Sequence, residues 1–125
     1  MAEVKELPCL SQEIEGSPIV HHLYDILTVA FSFHSEGGEL HRGEITFSKV
    51  EAYSFTFFEA CTTEQVDAYD KIVSVDNSSW LSTHRERKRE TDKHLMHFRT
   101  FLDDVGCYDV LAARVEINVQ ALTEL

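Results

Sequence analysis

Residues 94–117 constrain this chain more than any other stretch. His94-Leu-Met-His-Phe-Arg-Thr-Phe-Leu-Asp-Asp-Val-Gly-Cys-Tyr-Asp-Val-Leu-Ala-Ala-Arg-Val-Glu-Ile117 sets two runs rich in aromatic and β-branched side chains around Asp103-Asp104-Val105-Gly106. Such runs on either side of a polar, glycine-ended turn predict a β-hairpin. Two registers compete. Pairing Leu102 with Cys107 sets Phe98 opposite Leu111, Met96 opposite Ala113 and His94 opposite Val115, all on one mostly apolar face. The other face then pairs Phe101 with Tyr108, Arg99 with Val110 and Leu95 with Arg114. A left-handed Gly106 forming a bulge would shift the pairing by one residue and set Met96 opposite Arg114. The burial pattern favours the first register, because a one-residue slip turns a whole strand face over.

The hairpin sits near the end of an alternating chain. Leu27, Val29, Phe31 and Phe33 alternate with Thr28, Ala30 and Ser32, the period of a half-buried strand. Residues 19–34 are expected to form one long strand that bulges or begins near Asp25. Ser35-Glu-Gly-Gly-Glu39 predicts a turn that brings His34 nearly opposite His41. Residues 42–58 predict two strand segments, broken near Ser48-Lys49. Thr62-Thr-Glu-Gln65 matches a capping box and predicts a short helix over residues 63–70. Residues 71–75 suit a short strand. Asp76-Asn-Ser-Ser79 offers N-caps for a surface helix pinned by Trp80.

With 125 residues, one domain can bury a core without staples. Residues 1–17 are polar and read as a weakly ordered lead-in; residues 18–125 form a single β-rich domain. The order of elements argues for an antiparallel meander rather than βαβ units. The expected fold is α+β and β-dominated: a curved antiparallel sheet or partly open barrel of about five or six strands with one or two short helices.

Charge narrows the partners. With 11 basic and 22 acidic residues, the net charge is −11. Arg85, Arg87, Lys88, Arg89 and Lys93 cluster with Glu86, Glu90 and Asp92, so the rest holds 6 basic and 19 acidic residues, a net of −13. That balance disfavours nucleic acid and anionic lipid. The basic run still forms a candidate interaction surface, made of Trp80, Arg85, Arg87, Lys88 and Arg89. Its plainer reading is a solvated helix laced with opposite charges at spacings of three and four.

No stretch approaches a membrane span, and the acidic first eight residues carry no apolar signal core, so a cytoplasmic protein is expected. Cys9, Cys61 and Cys107 are odd in number and widely spaced, which suits free thiols in a reducing compartment. Catalysis finds little support. There is no nucleophile elbow, no phosphate-binding glycine loop, and Asp103-Asp104 is ordinary turn chemistry. Seven histidines are present, but no His-Glu-x-x-His or Cys/His ligand set. No catalytic residue, cofactor or metal ligand is expected.

Residues 97–113, following Ser79-Trp80-Leu81, resemble a pattern in small uncharacterised bacterial β-rich proteins. Ile45-Thr-Phe-Ser-Lys-Val-Glu-Ala-Tyr-Ser-Phe55 is similar to strands of some immunity proteins from bacterial toxin systems. That resemblance implies a protein that neutralises a toxin by binding it, and an acidic surface suits such a role. The expected function is therefore a non-catalytic protein-binding domain. The partner is another protein or, in a homodimer built on an edge strand, a second copy. The competing expectation is a small-molecule-binding or enzymatic β-barrel whose cavity is lined by Tyr53, Phe55 and Phe57.

Overall fold

The computed structural model describes residues 1–88 and 90–122. The chain starts in a sheet: β1 covers Ala2–Glu6, and a single 3-10 turn at Ser11–Glu13 leads into β2, Ile14–Leu23. Strands β3 (Ile26–His34), β4 (Leu40–Ser48) and β5 (Ala52–Phe57) follow. A short helix α1, Thr63–Val66, precedes β6, Lys71–Ser74. Helix α2, Ser79–Arg87, then leads to β7 (Met96–Leu102), β8 (Gly106–Ala112) and β9 (Arg114–Ala121).

Nine strands are thus present among the described residues, in two antiparallel sheets. One sheet has the order β1-β6-β7-β8-β5, the other β2-β3-β4-β9. The protein is a β-dominated α+β fold with two short helices and no closed barrel. The strand count exceeds the expected number for local reasons. Residues 19–34 hold two strands, because Tyr24 adopts a left-handed backbone (φ 55°) and closes a hairpin between Leu23 and Ile26. No glycine or asparagine marks that turn, which is why the sequence hides it. Residues 1–17, expected to be a lead-in, hold β1 and the beginning of β2; β1 pairs along β6.

The core lies between the sheets. Leu27, Val29, Phe31 and Phe33 from β3, with Ile45 and Phe47 from β4, face Phe98, Leu102, Tyr108 and Val110 from β7 and β8. Phe47 and Phe98 meet across this layer with ring centroids 6.1 Å apart. The alternation read in β3 and β4 is the alternation of this buried face.

The spine hairpin exists, in neither expected register. Leu102 pairs with Gly106, Phe98 with Val110, His97 with Leu111 and Arg99 with Asp109. The connection spans three residues, with Asp104 left-handed (φ 59°) and Val105 N–H donating to the Leu102 carbonyl. Gly106 (φ 141°) opens β8 rather than forming a bulge. Every residue of β8 is buried, the outward-facing Asp109 among them, so burial does not tell its two faces apart. Hydrophobicity therefore could not select the register. The hairpin also ends sooner than expected. The chain leaves one sheet after Ala112 and enters the other at Arg114, where Val115 pairs with Phe47 rather than with His94.

Other expectations hold locally. Thr62 and Gln65 form the reciprocal capping box. The turn between β3 and β4 forms, but His34 pairs with Leu40 and His41 with Phe33, so the two histidines face opposite sides.

Candidate functional site

The outer face of the five-stranded sheet carries the most site-like cluster. On β7, His97, Arg99 and Phe101 point away from the core; on β8, Cys107, Asp109 and Leu111 share that face. Helix α1 and the turn before it cover one end, where Ala68, Val73, Phe101 and Cys107 pack with Cys61. Helix α2 covers the other, and the Trp80 ring stands edge-on to His97 at 5.2 Å.

Between these lids, Ser78, His97 and Asp109 form a chain of hydrogen bonds. Ser78 is the N-cap of α2, and its Oγ accepts from Leu81 N–H at 3.1 Å. That leaves its hydroxyl proton to donate to His97 Nδ1, 2.7 Å away. His97 Nε2–H donates to Asp109 Oδ1 at 2.6 Å. Arg99 Nε–H reaches the same oxygen at 2.7 Å, and Gln65 Nε2 donates to Oδ2 at 3.1 Å. Burial alone would raise the Asp109 carboxyl, but the hydrogen bonds from His97, Arg99 and Gln65 outweigh it and hold the group at about 2. Asp109 is a buried anion with its acceptor sites filled.

The connectivity is that of a Ser–His–Asp triad, but the surroundings oppose that chemistry. Ser78 is only 9% exposed, and its oxygen is already committed to a helix cap. Trp80 packs against the histidine. A nucleophile needs room for a reacting carbon about 3 Å away, and Ser78 faces its own helix turn. The network fastens α2 onto the sheet. Sequence reasoning missed it because it placed Arg99 opposite Val110. Pairing the opposite charges Arg99 and Asp109 across the hairpin was the signal that would have exposed it.

Arg85, Arg87 and Lys88 of the basic run are exposed, and two of them also make contacts within the fold. Arg85 donates to the Leu95 carbonyl at 2.8 Å, and Lys88 Nζ lies 3.6 Å from Glu51 Oε1. His84 Nε2 is 2.9 Å from the same Glu51 oxygen, and Asp92 N–H donates to Oε2. Burial would raise the Glu51 carboxyl, yet the His84, Asp92 and Lys88 contacts bring it below its ordinary value. Arg87 is exposed. Trp80 is half-buried over His97 rather than presented to solvent. Arg89 lies outside the described residues. The structure thus sets Trp80 against the buried network and Lys88 beside Glu51, with Arg85, Arg87 and Lys88 exposed.

Among the described residues, no group of three or more His, Cys, Asp or Glu side chains is placed to hold a metal ion. Tyr53, Phe55 and Phe57 do share the inner face of β5, but Phe55 packs on Tyr108 with centroids 4.8 Å apart, and Phe57 is 75% exposed. Tyr53 borders an open groove and its hydroxyl meets His22 Nδ1 at 3.2 Å.

One open groove is acidic. It measures about 830 Å³ and runs between β1, the segment that follows it and the β3–β4 turn. Glu3, Glu6, Glu13, Glu36 and Asp70 line it, against Lys71 and His34. Among the described residues, Glu3, Glu6, Glu13 and Glu36 form no salt bridge. Asp70 Oδ1 accepts from Ser11 N–H, while its Oδ2 is buried without a hydrogen-bond partner.

Also among the described residues, no helix is long and apolar enough to cross a membrane. In comparisons with known proteins, no family model matched the chain, and no similar curated protein or solved structure was found.

Proposed function

We propose that this chain is a non-catalytic protein-binding domain of the cytoplasm whose partner is a basic protein. The observation that carries the reading is the acidic groove, where four glutamates without an ion-pair partner among the described residues line the same surface as the half-satisfied carboxylate of Asp70. Uncompensated carboxylates in a concave surface concentrate field and favour a cationic guest. The net charge of −11 extends the same attraction around the molecule. The closed Ser78–His97–Asp109 network supports the non-catalytic half of the proposal, since its one hydroxyl is spent on a helix cap. Neutralising a bacterial toxin is the form of this role that the immunity-protein resemblance of residues 45–55 favours.

The test is calorimetric titration of the intact protein with the product of its neighbouring gene, at low and high salt. Binding should weaken as salt rises. A variant carrying Glu6→Lys, Glu13→Lys and Glu36→Lys should bind at least roughly tenfold more weakly. Equal binding by that variant, or no binding by the wild type, would sink the reading.

A further inference from the structure

Each sheet ends in two edge strands, and an edge exposes backbone donors and acceptors that invite another strand. Three of the four edges carry protection. Strand β1 has Glu3, Lys5 and Glu6; β9 has Arg114 and Glu116. Strand β2 has Glu15 and Pro18 and is broken by a register shift between Glu15 and Ile19. Strand β5, Ala52-Tyr-Ser-Phe-Thr-Phe57, has no charge, no proline and no glycine, and pairs evenly with β8.

We infer that β5 pairs antiparallel with β5 of a second copy of this chain, about a two-fold axis at Phe55, joining two five-stranded sheets into one. This interface is separate from the acidic groove and does not depend on it. The strand is self-complementary in that register. Phe55 meets its own copy, Tyr53 stands opposite the copy's Phe57, and Ser54 stands opposite the copy's Thr56. Aromatic then faces aromatic on the inner side and hydroxyl faces hydroxyl on the outer, both favourable cross-strand pairs. No charge lies within the strand, and the nearest carboxylates in sequence, Glu51 and Glu59, flank it beyond its two ends.

The exposed area fits one such contact. Phe57 is 75% exposed, Tyr53 40%, Phe58 38%, and Tyr24, which borders the same groove as Tyr53, is 95% exposed. At roughly 150–250 Å² for a whole aromatic side chain, this amounts to about 500 Å² of apolar surface per copy. A standard interface covers about 800 Å² per partner, a little over half of it apolar. On the free side of β5 the structure offers little that competes. The Cys61 thiol makes only weak 3.5 Å contacts to the Thr56 and Phe57 carbonyls. Among the described residues no strand lies beyond β5 in its sheet, so its side away from β8 can take a guest strand.

The test is light scattering on size-exclusion eluate across micromolar concentrations, with wild type, Ser54→Lys and Phe57→Glu. The wild type should run as a dimer that tightens with salt, the opposite of the salt response expected at the acidic groove. Both variants should run as monomers while keeping the wild-type circular dichroism. A register check uses cysteines in a Cys61→Ala, Cys107→Ala background, because Thr56 stands opposite Cys107 and beside Cys61: an equimolar mixture of the Ser54→Cys and Thr56→Cys proteins, oxidised, should give a disulfide-linked heterodimer between positions 54 and 56. Neither protein oxidised alone should give that species. A monomeric wild type overturns the inference, as does a dimer that persists in both charge variants. If the wild type is a dimer, absence of the 54–56 crosslink between the two cysteine variants overturns the register.

Discussion

Arg99 and Asp109 stand opposite each other on neighbouring strands, with Arg99 Nε 2.7 Å from an Asp109 oxygen that His97 also reaches. This pair fixes the outer face of the central hairpin. Two helices close over it, one through Gln65 and the other through Ser78 and Trp80. Its consequences are mostly about stability, and they can be measured.

The first concerns pH. The Asp109 carboxyl sits at about 2 against an ordinary value of 3.8. A carboxyl depressed in the folded state adds stability that is complete above its unfolded value and fades as pH falls through the folded one. The contribution is about 2 kcal/mol at neutral pH, lost between roughly pH 4 and pH 2. Asp109→Asn should destabilise the fold by about 2–4 kcal/mol at pH 7, because it weakens the buried partner of Arg99. Urea unfolding of both proteins across that range should show the gap narrowing below pH 4. A constant gap would contradict the assignment.

The second concerns the cap of α2. Ser78→Ala removes the acceptor for Leu81 N–H and the donor to His97 together. The expected cost is about 1–2 kcal/mol. The chain has one tryptophan, at position 80. Its fluorescence should shift toward that of solvent-exposed indole if α2 loosens. An unchanged melting curve and emission spectrum would mean that the cap does not hold the helix.

The third concerns Gly106, where a Cβ would lie 2.1 Å from the Thr56 carbonyl oxygen and 2.8 Å from the Phe55 ring, on a backbone with φ 141°. Neither the backbone oxygen nor the packed ring can yield cheaply. Gly106→Ala should cost about 3 kcal/mol or more. Gly37→Ala is the control. Its nearest contact would be Ser35 Oγ at 3.9 Å, and its stability change should stay within about 0.5 kcal/mol. Similar losses at both positions would refute the contact.

The fourth concerns the thiols. Burial pushes Cys9 up to about 11, with Glu13 and Asp70 adding to it. Burial also raises Cys61, and it raises Cys107 further with the help of Asp109. Alkylation at pH 8 should therefore proceed roughly tenfold or more slowly in the native protein than in urea, with Cys107 slowest. Peptide mass spectrometry reads each site separately. Fast native labelling of Cys107 would show that the outer face opens.

Much of the architecture was legible because it is local. Alternation in Leu27, Val29, Phe31 and Phe33 marks β3, and Thr62 with Gln65 marks α1. The Gly37-Gly38 turn is also marked, and the break after Ser48 shows as Val50 falling out of the alternation of Ile45 and Phe47. The turn at Tyr24 and the change of sheet at Ala113 carry no such mark. A tyrosine and an alanine occupy those positions because neighbouring strands, not local preference, hold the backbone there.

Residue order by itself determined that this chain makes antiparallel strands around an aromatic core, that its body is acidic, and that β5 carries no charge. Only tertiary structure decided the register of β7 on β8, since a strand buried on both faces offers no apolar contrast to select it. That single choice sets Arg99 against Asp109, lines up His97 with Ser78, and turns residues scattered over positions 65–109 into one closed network.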